Sequence, residues 1–329
     1  MNISPLLEAL ERELQNQVSC LSELAPFHEM LTYHMGWSGE GAGPQAQGKR
    51  IRPILLLLTA SACGGDWQAA LPLAAAVELV HNFSLIHDDI QDRSPLRRGR
   101  PTLWSKWGIA QAINAGDAMF ILAQRALLSL RSDAERIVRL ARIFQDTCLD
   151  LTRGQFLDLS YESQGEITLE EYWRMIAGKT AALLSAATWM GAIFAGAEEE
   201  VAEAYREFGH YLGLAFQVQD DYLGIWGNEV LTGKSAASDL LSGKKTLPVV
   251  FGLAQDGVFA ARWRKGNITS EEVPFLAEQL VREGAQAYTL NAADQMTDLA
   301  IQAIRRIDPA GEAGEEIYRI TRALLLRQA

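Results

Sequence analysis

A long apolar segment that ends in a cluster of carboxylates places the strongest limit on how this chain can fold. The segment LPLAAAVELVHNFSLIH, residues 71–87, runs directly into Asp88, Asp89 and Asp92. Its length and apolar character predict a helix that continues past the last aspartate. On such a helix Asp88 and Asp92 share one face with His81. Like charges at this spacing cost roughly 0.2–0.5 kcal/mol per pair on an exposed helix. A divalent cation with oxygen ligands would offset that cost.

A second acidic cluster supports the same interpretation. FQVQDDYLGIWG places Asp220 and Asp221 on another predicted helix, residues 198–227, with Gln217 three or four residues before them. A solvated acidic helix end is the alternative for either cluster taken alone. Two acidic helix faces in one chain instead predict two halves of one metal site.

The other segments of the chain also carry helical signals, and none shows the alternation typical of strands. Capping-box patterns at Thr168–Glu171 and Thr269–Glu272 predict two helix starts. The predicted helices before the second cluster cover about 4–24, 52–63, 108–131, 133–163 and 168–195, with loops at 36–48 and 228–243. With 329 residues, 48% of them hydrophobic, the chain can bury a sizeable core. We expect one all-α domain over 1–329, a large helical bundle with its active-site cavity between facing helices.

The charge balance argues against a polyanionic partner. Acidic residues outnumber Lys and Arg by 41 to 30, and the net charge is -11, which disfavours nucleic-acid binding. The basic clusters at 49–52, 97–100 and 244–245 are local. They suit a small anionic ligand.

The cysteines and the N-terminus favour a cytoplasmic protein. Cys20, Cys63 and Cys148 are far apart and lack metal-ligand spacing, so we expect reduced thiols. The N-terminal segment lacks the apolar run of a signal peptide. No segment reaches the ~18 apolar residues of a membrane span.

Two lysine motifs resemble nucleotide-binding loops but fail the pattern. Residues 43–50, GPQAQGKR, have Arg50 where a P-loop needs the Ser or Thr that holds magnesium, and no strand precedes them. Lys179 follows a glycine, but Trp173 occupies the place of the first P-loop glycine. The basic start at 48–53 suits a diphosphate instead. A plain basic helix start is the alternative, which the helix dipole disfavours.

Several motifs together resemble the trans-isoprenyl diphosphate synthase (polyprenyl synthetase) family. They occur in the family's order between residues 48 and 250: GKRIRP, HNFSLIHDDIQD with LRRGRPT, GKT, FQVQDD, GKSAASD and KKTLP. The resemblance implies the isoprenoid synthase fold and a synthase of the geranylgeranyl diphosphate type. It also implies magnesium, three ions per site, with manganese as a substitute.

The resemblance further implies a role for each matching residue. Isopentenyl diphosphate is bound by Lys49, Arg52, His81 and Arg98. The allylic diphosphate is bound by Arg97, Lys179, Thr180, Gln217, Lys234 and Lys244. Magnesium is bound by Asp88, Asp89, Asp92, Asp220, Asp221 and Asp239, and the catalytic set is Asp88, Asp89, Asp92, Lys179 and Asp220. A core histidine remains the alternative for His81, and a lysine extending to solvent remains the alternative for Lys179.

The second acidic motif departs from the family pattern. The family usually has DDxxD, whereas this chain has Gly224 in place of the last aspartate. We expect Asp220 to matter most, since it points with Gln217 toward the facing helix. Asp239 is a candidate to complete the third metal's coordination.

The residues before the first motif bear on product length. Phe83 and Ser84 lie five and four residues before Asp88, where the growing chain must run. The resemblance implies that one aromatic floor at this point gives a C20 product, with C15 as the second choice. Ordinary core packing is the alternative role for Phe83.

Two other functions remain open. A prenyl-synthase-like terpene cyclase would also ionise an allylic diphosphate. Gly224, in place of the last aspartate of the second acidic motif, leaves this alternative open. A cyclase would have no use for the isopentenyl diphosphate set. A non-catalytic regulatory subunit could dispense with the aspartates, which are nevertheless present. A homodimer is the expected assembly, because symmetric dimers are the commonest oligomers.

Overall fold

The computed structural model describes residues 3–227 and 238–325, and helices dominate both ranges. The all-α prediction is confirmed. Contacts between Cα atoms group the chain into two compact units. The first contains Met1–Phe144, Ala187–Ala202 and Ala310–Glu316, and the second contains Gln145–Ala186, Glu203–Pro309 and Ile317–Ala329. The expectation of a single domain over 1–329 stays a prediction.

The first unit is built around two long helices that lie against each other. Its elements are α1 (Ser4–Ser19), α2 (Ala25–His34), α3 (Pro44–Gln47), α4 (Ile51–Ala62), α5 (Leu71–Gln91), β1 (Leu96–Arg97), β2 (Arg100–Pro101), α6 (Leu103–Trp107), α7 (Ile109–Leu128) and the start of α8 (Ala134–Glu162). Helix α5 packs along α7 and also contacts α4 and α1. Small residues allow the close approach: a Cβ on Gly116 would lie 2.2 Å from the His87 ring.

The second unit has its core around a short apolar helix. Its elements are the rest of α8, α9 (Leu169–Ile176), a π-helix π1 (Ala177–Ala181), α10 (Ala182–Ala195), α11 (Glu199–Trp226), α12 (Ser238–Ser242), α13 (Leu247–Ala254), α14 (Val258–Trp263), α15 (Val273–Arg282), α16 (Ala285–Ile307) and α17 (Gly311–Leu325). Helices α8, α10, α11 and α17 contribute residues to both units. Helix α13 contacts α9, α14, α15 and α16, and its buried Leu247 and Val250 join one apolar cluster.

Several predicted boundaries are confirmed and several shift. The Thr168–Glu171 capping box is present and opens α9. At Thr269 the backbone N–H does bond the Glu272 carboxylate, but α15 starts only at Val273. Pro274 is tolerated there because a proline fits the first turn of a helix.

Other boundaries also differ from the prediction. Helix α1 ends at Ser19 rather than near residue 24, and α3 and α12 occupy parts of predicted loops. The antiparallel pairing of β1 and β2 was not predicted, because a two-residue strand shows no alternation. Among the residues described, no helix combines the length and apolar character needed to cross a membrane.

Candidate active site

The first acidic motif divides its three carboxylates between two tasks. Asp89 is buried and accepts hydrogen bonds from Arg97 Nε at 2.9 and 3.0 Å. Burial raises the pKa of the Asp89 carboxyl, and Arg97 opposes that shift. Asp88 is half-buried and Asp92 is exposed at the end of α5, where its N–H bonds the Asp88 carbonyl. Asp88 and Asp92 therefore present the accessible face, while Asp89 positions Arg97.

A tight hairpin separates the roles of the arginines that follow. Arg98 and Gly99 both have positive φ, 52° and 75°, between paired residues Arg97 and Arg100, as a type I′ turn requires. Arg100 is buried and donates to three backbone carbonyls, so its role is structural. Arg98 turns the other way, and its Nη1 donates to the Ala46 carbonyl at 2.7 Å.

The glycine of the GKRIRP segment makes room for Arg98. Gly48 has φ 82°, and a Cβ there would lie 2.5 Å from the Arg98 guanidinium. The next residue, Lys49, is exposed. This packing brings Lys49 and Arg98, two residues predicted to bind isopentenyl diphosphate, close together along the first unit.

Arg50 was absent from the predicted site, and the structure shows why it is needed. It has a left-handed backbone, φ 48°, directly before α4. Its buried guanidinium binds Glu11 at 2.8 Å and Glu78 at 2.7 Å. A non-glycine residue with positive φ is uncommon, and these two carboxylates hold it in place. Arg50 thus fixes the start of α4, from which Lys49 and Arg52 extend. Both acidic partners lie far away in sequence, so no local pattern signals the pairing.

Arg52 and His81 lie together. Arg52 Nη1 is 3.4 Å from His81 Nε2, and Arg52 Nε is buried without a hydrogen-bond partner in the described part of the chain. Burial and the neighbouring arginines, Arg52 foremost among them, lower the pKa of His81 well below its usual value. His81 is therefore neutral at pH 7. A guanidinium with a buried, unused donor is suited to an anionic ligand.

The predicted floor residue packs against a second aromatic ring. The Phe83 ring lies 5.1 Å from the Phe120 ring and 4.8 Å from the His87 ring. Ser84 Oγ donates to the His81 carbonyl at 2.9 Å, so its hydroxyl is satisfied within the helix. Phe120 belongs to α7, and nothing in the sequence near Phe83 indicates it.

In the second unit, a chain of hydrogen bonds fixes the second acidic motif. Thr180 Oγ1 donates to Gln217 Oε1 at 2.6 Å, and Gln217 Nε2 donates to Asp221 Oδ1 at 2.8 Å. We expected Gln217 to point with Asp220, but its side chain is bonded to Asp221 instead. Side chains four residues apart on a helix point about 40° apart, whereas side chains three residues apart differ by about 60°. Asp220 itself is exposed.

Asp221 is buried among donors. Its Oδ2 accepts from the Tyr172 hydroxyl at 2.6 Å and from the Leu247 N–H at 2.8 Å. Burial raises its pKa to about 7, against the effect of these donors. Tyr172 and Leu247 were not predicted, since they reach the motif from α9 and α13.

Lys179 lies in π1, and π-helical turns occur frequently at functional sites. Its ammonium group forms an ion pair with Asp158 of α8. The sequence predicted a partner for this lysine but proposed only a phosphate. Helices α8 and π1 touch through glycines. A Cβ built on Gly154 would lie 2.1 Å from the backbone nitrogen of Lys179.

The remaining predicted residues lie after α11. Lys244 is exposed, and its N–H donates to the Asp239 carbonyl at 3.1 Å. Lys234 lies outside the described residues.

The donors present suit magnesium. Within 3–227 and 238–325, no three Asp, Glu, His or Cys side chains form a ready-made metal cage. Magnesium is usually held by one or two carboxylates together with substrate phosphates. The accessible oxygens of Asp88 and Asp92 on one helix face fit that mode of binding.

The chain is similar to known prenyl diphosphate synthases over most of its length. The sequence profile described as polyprenyl synthetase matches residues 43–276. A (2E,6E)-farnesyl diphosphate synthase of Mycobacterium tuberculosis is 40% identical over 310 residues, covering 91% of this chain and 86% of that protein. A geranylgeranyl diphosphate synthase of Methanosarcina mazei is 41% identical over 248 residues, covering 75% and 76%.

A solved structure extends the similarity to the fold. The geranylgeranyl pyrophosphate synthetase of Pyrococcus horikoshii superposes with a TM-score of 0.92 at 31% identity, covering 99% of this chain and 97% of that one. The sequence, the fold and the two acidic motifs agree, and the chain belongs to the polyprenyl synthetase family.

Proposed function

We propose that this chain is a trans-prenyltransferase that condenses an allylic diphosphate with isopentenyl diphosphate. The observation that carries the proposal is the composition of α5 and its surroundings. Arg52 approaches His81 of this helix, and Arg52 Nε is buried there without a partner in the described part of the chain. The Asp88–Asp92 face lies two turns farther along the helix, about 10 Å by helix geometry. One helix thus serves both an anion-binding group and a cation-binding face, and a two-diphosphate substrate pair requires both.

The residues of the first unit hold isopentenyl diphosphate in this proposal. Lys49 and Arg98 supply exposed charge, and Arg52 supplies a directed donor. Neutral His81 can accept or donate a hydrogen bond without adding a further charge. Arg50 and Glu78 position these groups rather than contact the ligand.

The allylic diphosphate is held by cations and by amide or hydroxyl groups. The proposed set is Arg97, Lys179, Thr180, Gln217, Lys234 and Lys244. Lys179 is paired with Asp158 before the substrate binds. A diphosphate carries more charge than one carboxylate, so it can compete for the lysine.

The proposed magnesium ligands are Asp88, Asp89, Asp92, Asp220, Asp221 and Asp239. We propose three magnesium ions per site, with manganese as a substitute. When bound, magnesium neutralises the developing charge of the leaving diphosphate. Asp89 and Asp221 already accept several protein hydrogen bonds. Besides binding the metal, Asp89 orients Arg97 and Asp221 orients Gln217.

The chain's cations make the allylic C–O bond easier to break. Lys179, Arg97 and Lys244 stabilise the charge on the departing diphosphate. The double bond of isopentenyl diphosphate then attacks the allylic carbocation. A proton leaves to the released diphosphate, and the product is five carbons longer. No protein nucleophile takes part.

The product is a C20 or C15 diphosphate, and we propose C20. Phe83 and Phe120 form an aromatic pair below the acidic face of α5, which suits a floor for the growing chain. We also propose that the chain acts as a homodimer.

The test is incubation of the purified chain with Mg²⁺, isopentenyl diphosphate and separate C5, C10 and C15 allylic primers. Mass spectrometry should detect linear prenyl diphosphates that disappear when EDTA removes the metal. Arg52→Gln should raise the KM for isopentenyl diphosphate at least tenfold. The matched control Arg139→Gln, which removes an exposed ion pair, should leave that KM unchanged.

Two other outcomes would overturn the proposal. A hydrocarbon or alcohol formed from the allylic diphosphate without isopentenyl diphosphate would indicate a terpene cyclase. A folded sample with no turnover of any primer would indicate a regulatory subunit.

A further inference from the structure

The second unit contains an open cavity of about 730 Å³ between α9, α11 and α16. Half-buried aromatic side chains, Trp173, Tyr211 and Tyr288, line it together with the apolar side chains of Leu214 and Met296. None of the described residues proposed above to bind diphosphate or magnesium belongs to this lining. A cavity of this size with aromatic and apolar walls is typical of a binding site for a small organic molecule.

The charged and polar groups of the cavity are available to a ligand. Arg174 is exposed and forms no ion pair with any residue that the structure describes, including Glu170 one turn earlier on α9. His210 is half-buried, and burial together with the positive charge of Arg206 lowers its pKa. His210 is therefore neutral at pH 7 and offers a hydrogen-bond donor. A single anionic group would find an unpaired guanidinium and an imidazole N–H here.

We propose that this cavity binds an amphiphilic monoanion, a molecule with an apolar body and one carboxylate or sulfonate head group. The rings of Trp173, Tyr211 and Tyr288 contact the body, since aromatic side chains bury a large apolar area. Arg174 and His210 contact the head group. The Glu170 carboxylate repels a more highly charged ligand such as a diphosphate, so the cavity is distinct in its chemistry from the proposed substrate sites.

The cavity also borders the element that carries Lys179. Ala177 lies in the lining and is the first residue of π1. The cavity is present in the conformation in which Lys179 pairs with Asp158, so a ligand that fills it stabilises that conformation. A diphosphate at Lys179 requires this ion pair to open. The two ligands therefore weaken each other's binding, a consequence that rests on the proposed function of Lys179.

The first part of the test measures binding in the full chain. The probe is anilinonaphthalene sulfonate, an amphiphilic monoanion whose fluorescence rises when it leaves water. Arg174→Gln removes the cation and should raise the Kd of the probe about tenfold, as the loss of one charged hydrogen bond predicts. Gln295→Trp, at an exposed position of the lining, fills the cavity and should abolish this binding.

Matched controls separate the cavity from other apolar surface. Arg282→Gln removes an exposed ion pair on α15, and Leu290→Trp adds an indole at an exposed position of α16 outside the lining. Both should bind the probe as the unmodified chain does. The melting temperature of each variant shows that it is folded. An unchanged Kd in both Arg174→Gln and Gln295→Trp would show that the probe binds elsewhere and would overturn the proposal.

The second part tests the coupling to Lys179 without turnover. Mg²⁺ with inorganic diphosphate should raise the Kd of the probe about threefold or more in the unmodified chain. Lys179→Gln should remove this increase while it retains binding of the probe. An increase that persists in Lys179→Gln would show direct competition at Arg174 and would reject the coupling, as would no increase at all. If the chain makes no prenyl diphosphate, the proposed function fails, while the probe titrations still decide whether the cavity binds an amphiphilic anion.

Discussion

His34 is a half-buried histidine that the fold keeps neutral. Its Nε2 is buried and has no hydrogen-bond partner among the residues that the structure describes. Burial, together with Arg97 and Arg98, lowers its pKa from 6.5 to about 3. Near pH 6.5 the unfolded chain therefore binds a proton at His34 that the folded chain does not bind. The stability that His34 contributes is fully present above pH 6.5 and is lost as the pH falls toward 3.

We predict that His34→Gln removes part of the acid sensitivity of folding. For a pKa near 3 in the folded chain, protonation of His34 in the unfolded chain lowers the free energy of unfolding by about 2 kcal/mol between pH 7 and pH 5. Urea unfolding at both pH values should show a smaller loss for the variant than for the unmodified chain. His28→Gln, on the same helix, is the control. An equal loss in His34→Gln and the unmodified chain would contradict the prediction.

Neighbouring arginines show how far residue type alone can mislead. Arg97, Arg98 and Arg100 lie within four positions, and the sequence treats them as one basic cluster. The hairpin sends Arg97 to Asp89, Arg98 to the backbone before α4 and Arg100 to three carbonyls. Only the turn geometry distinguishes a ligand-binding arginine from a structural one.

Among the elements, the contact between α8 and π1 decides where Lys179 lies. Gly154 faces Gly178, and a Cβ built on either glycine would overlap the backbone of the other helix. Asp158, one turn after Gly154 on α8, then meets the Lys179 ammonium group. The sequence predicted one helix from 168 to about 195, and no periodic pattern indicates the π-helical turn within it.

Gly154→Ala should destabilise the fold and weaken allylic substrate binding. In an exposed helix this change would gain up to about 1 kcal/mol. Here the new Cβ would overlap backbone at 2.1 Å, and overpacking typically costs about 1–3 kcal/mol, so the overlap dominates. Thermal unfolding and the KM for the allylic diphosphate report the two effects.

Gly165→Ala is the matched control, since no described atom lies within 4 Å of a Cβ there. It should leave the melting temperature and the KM nearly unchanged. A Gly154→Ala variant as stable as the unmodified chain would show that α8 and π1 can separate without loss.

For the whole molecule, the product length is the property that tests how α5 packs against α7. The first unit places Phe83 of α5 against Phe120 of α7, and a chain that grows along α5 would meet this pair. Ser84 contributes little blocking volume, and its hydroxyl is bonded to the helix.

We predict that Phe83→Ala shifts the product distribution beyond C20. Phe120→Ala should shift it in the same direction by a smaller amount, because the Phe83 ring would lose its support. Products are measured by mass spectrometry with each allylic primer. Phe275→Ala, at an exposed position of the second unit, is the control. Unchanged product lengths in Phe83→Ala would reject the floor.

The linear sequence was sufficient to predict the helical class, the two acidic motifs, the basic clusters and the resemblance to the family. These features follow directly from the linear sequence: helical periodicity and each motif lie within short windows, and the order of the motifs is their order along the chain. Other contacts depend on the folded chain: Arg50 is bound by Glu11 and Glu78, Lys179 pairs with Asp158, and Asp239 fills the space beside Gly224. Each of these contacts joins residues whose separation along the chain exceeds any local period. The folded backbone makes them neighbours, so no local pattern could have predicted them.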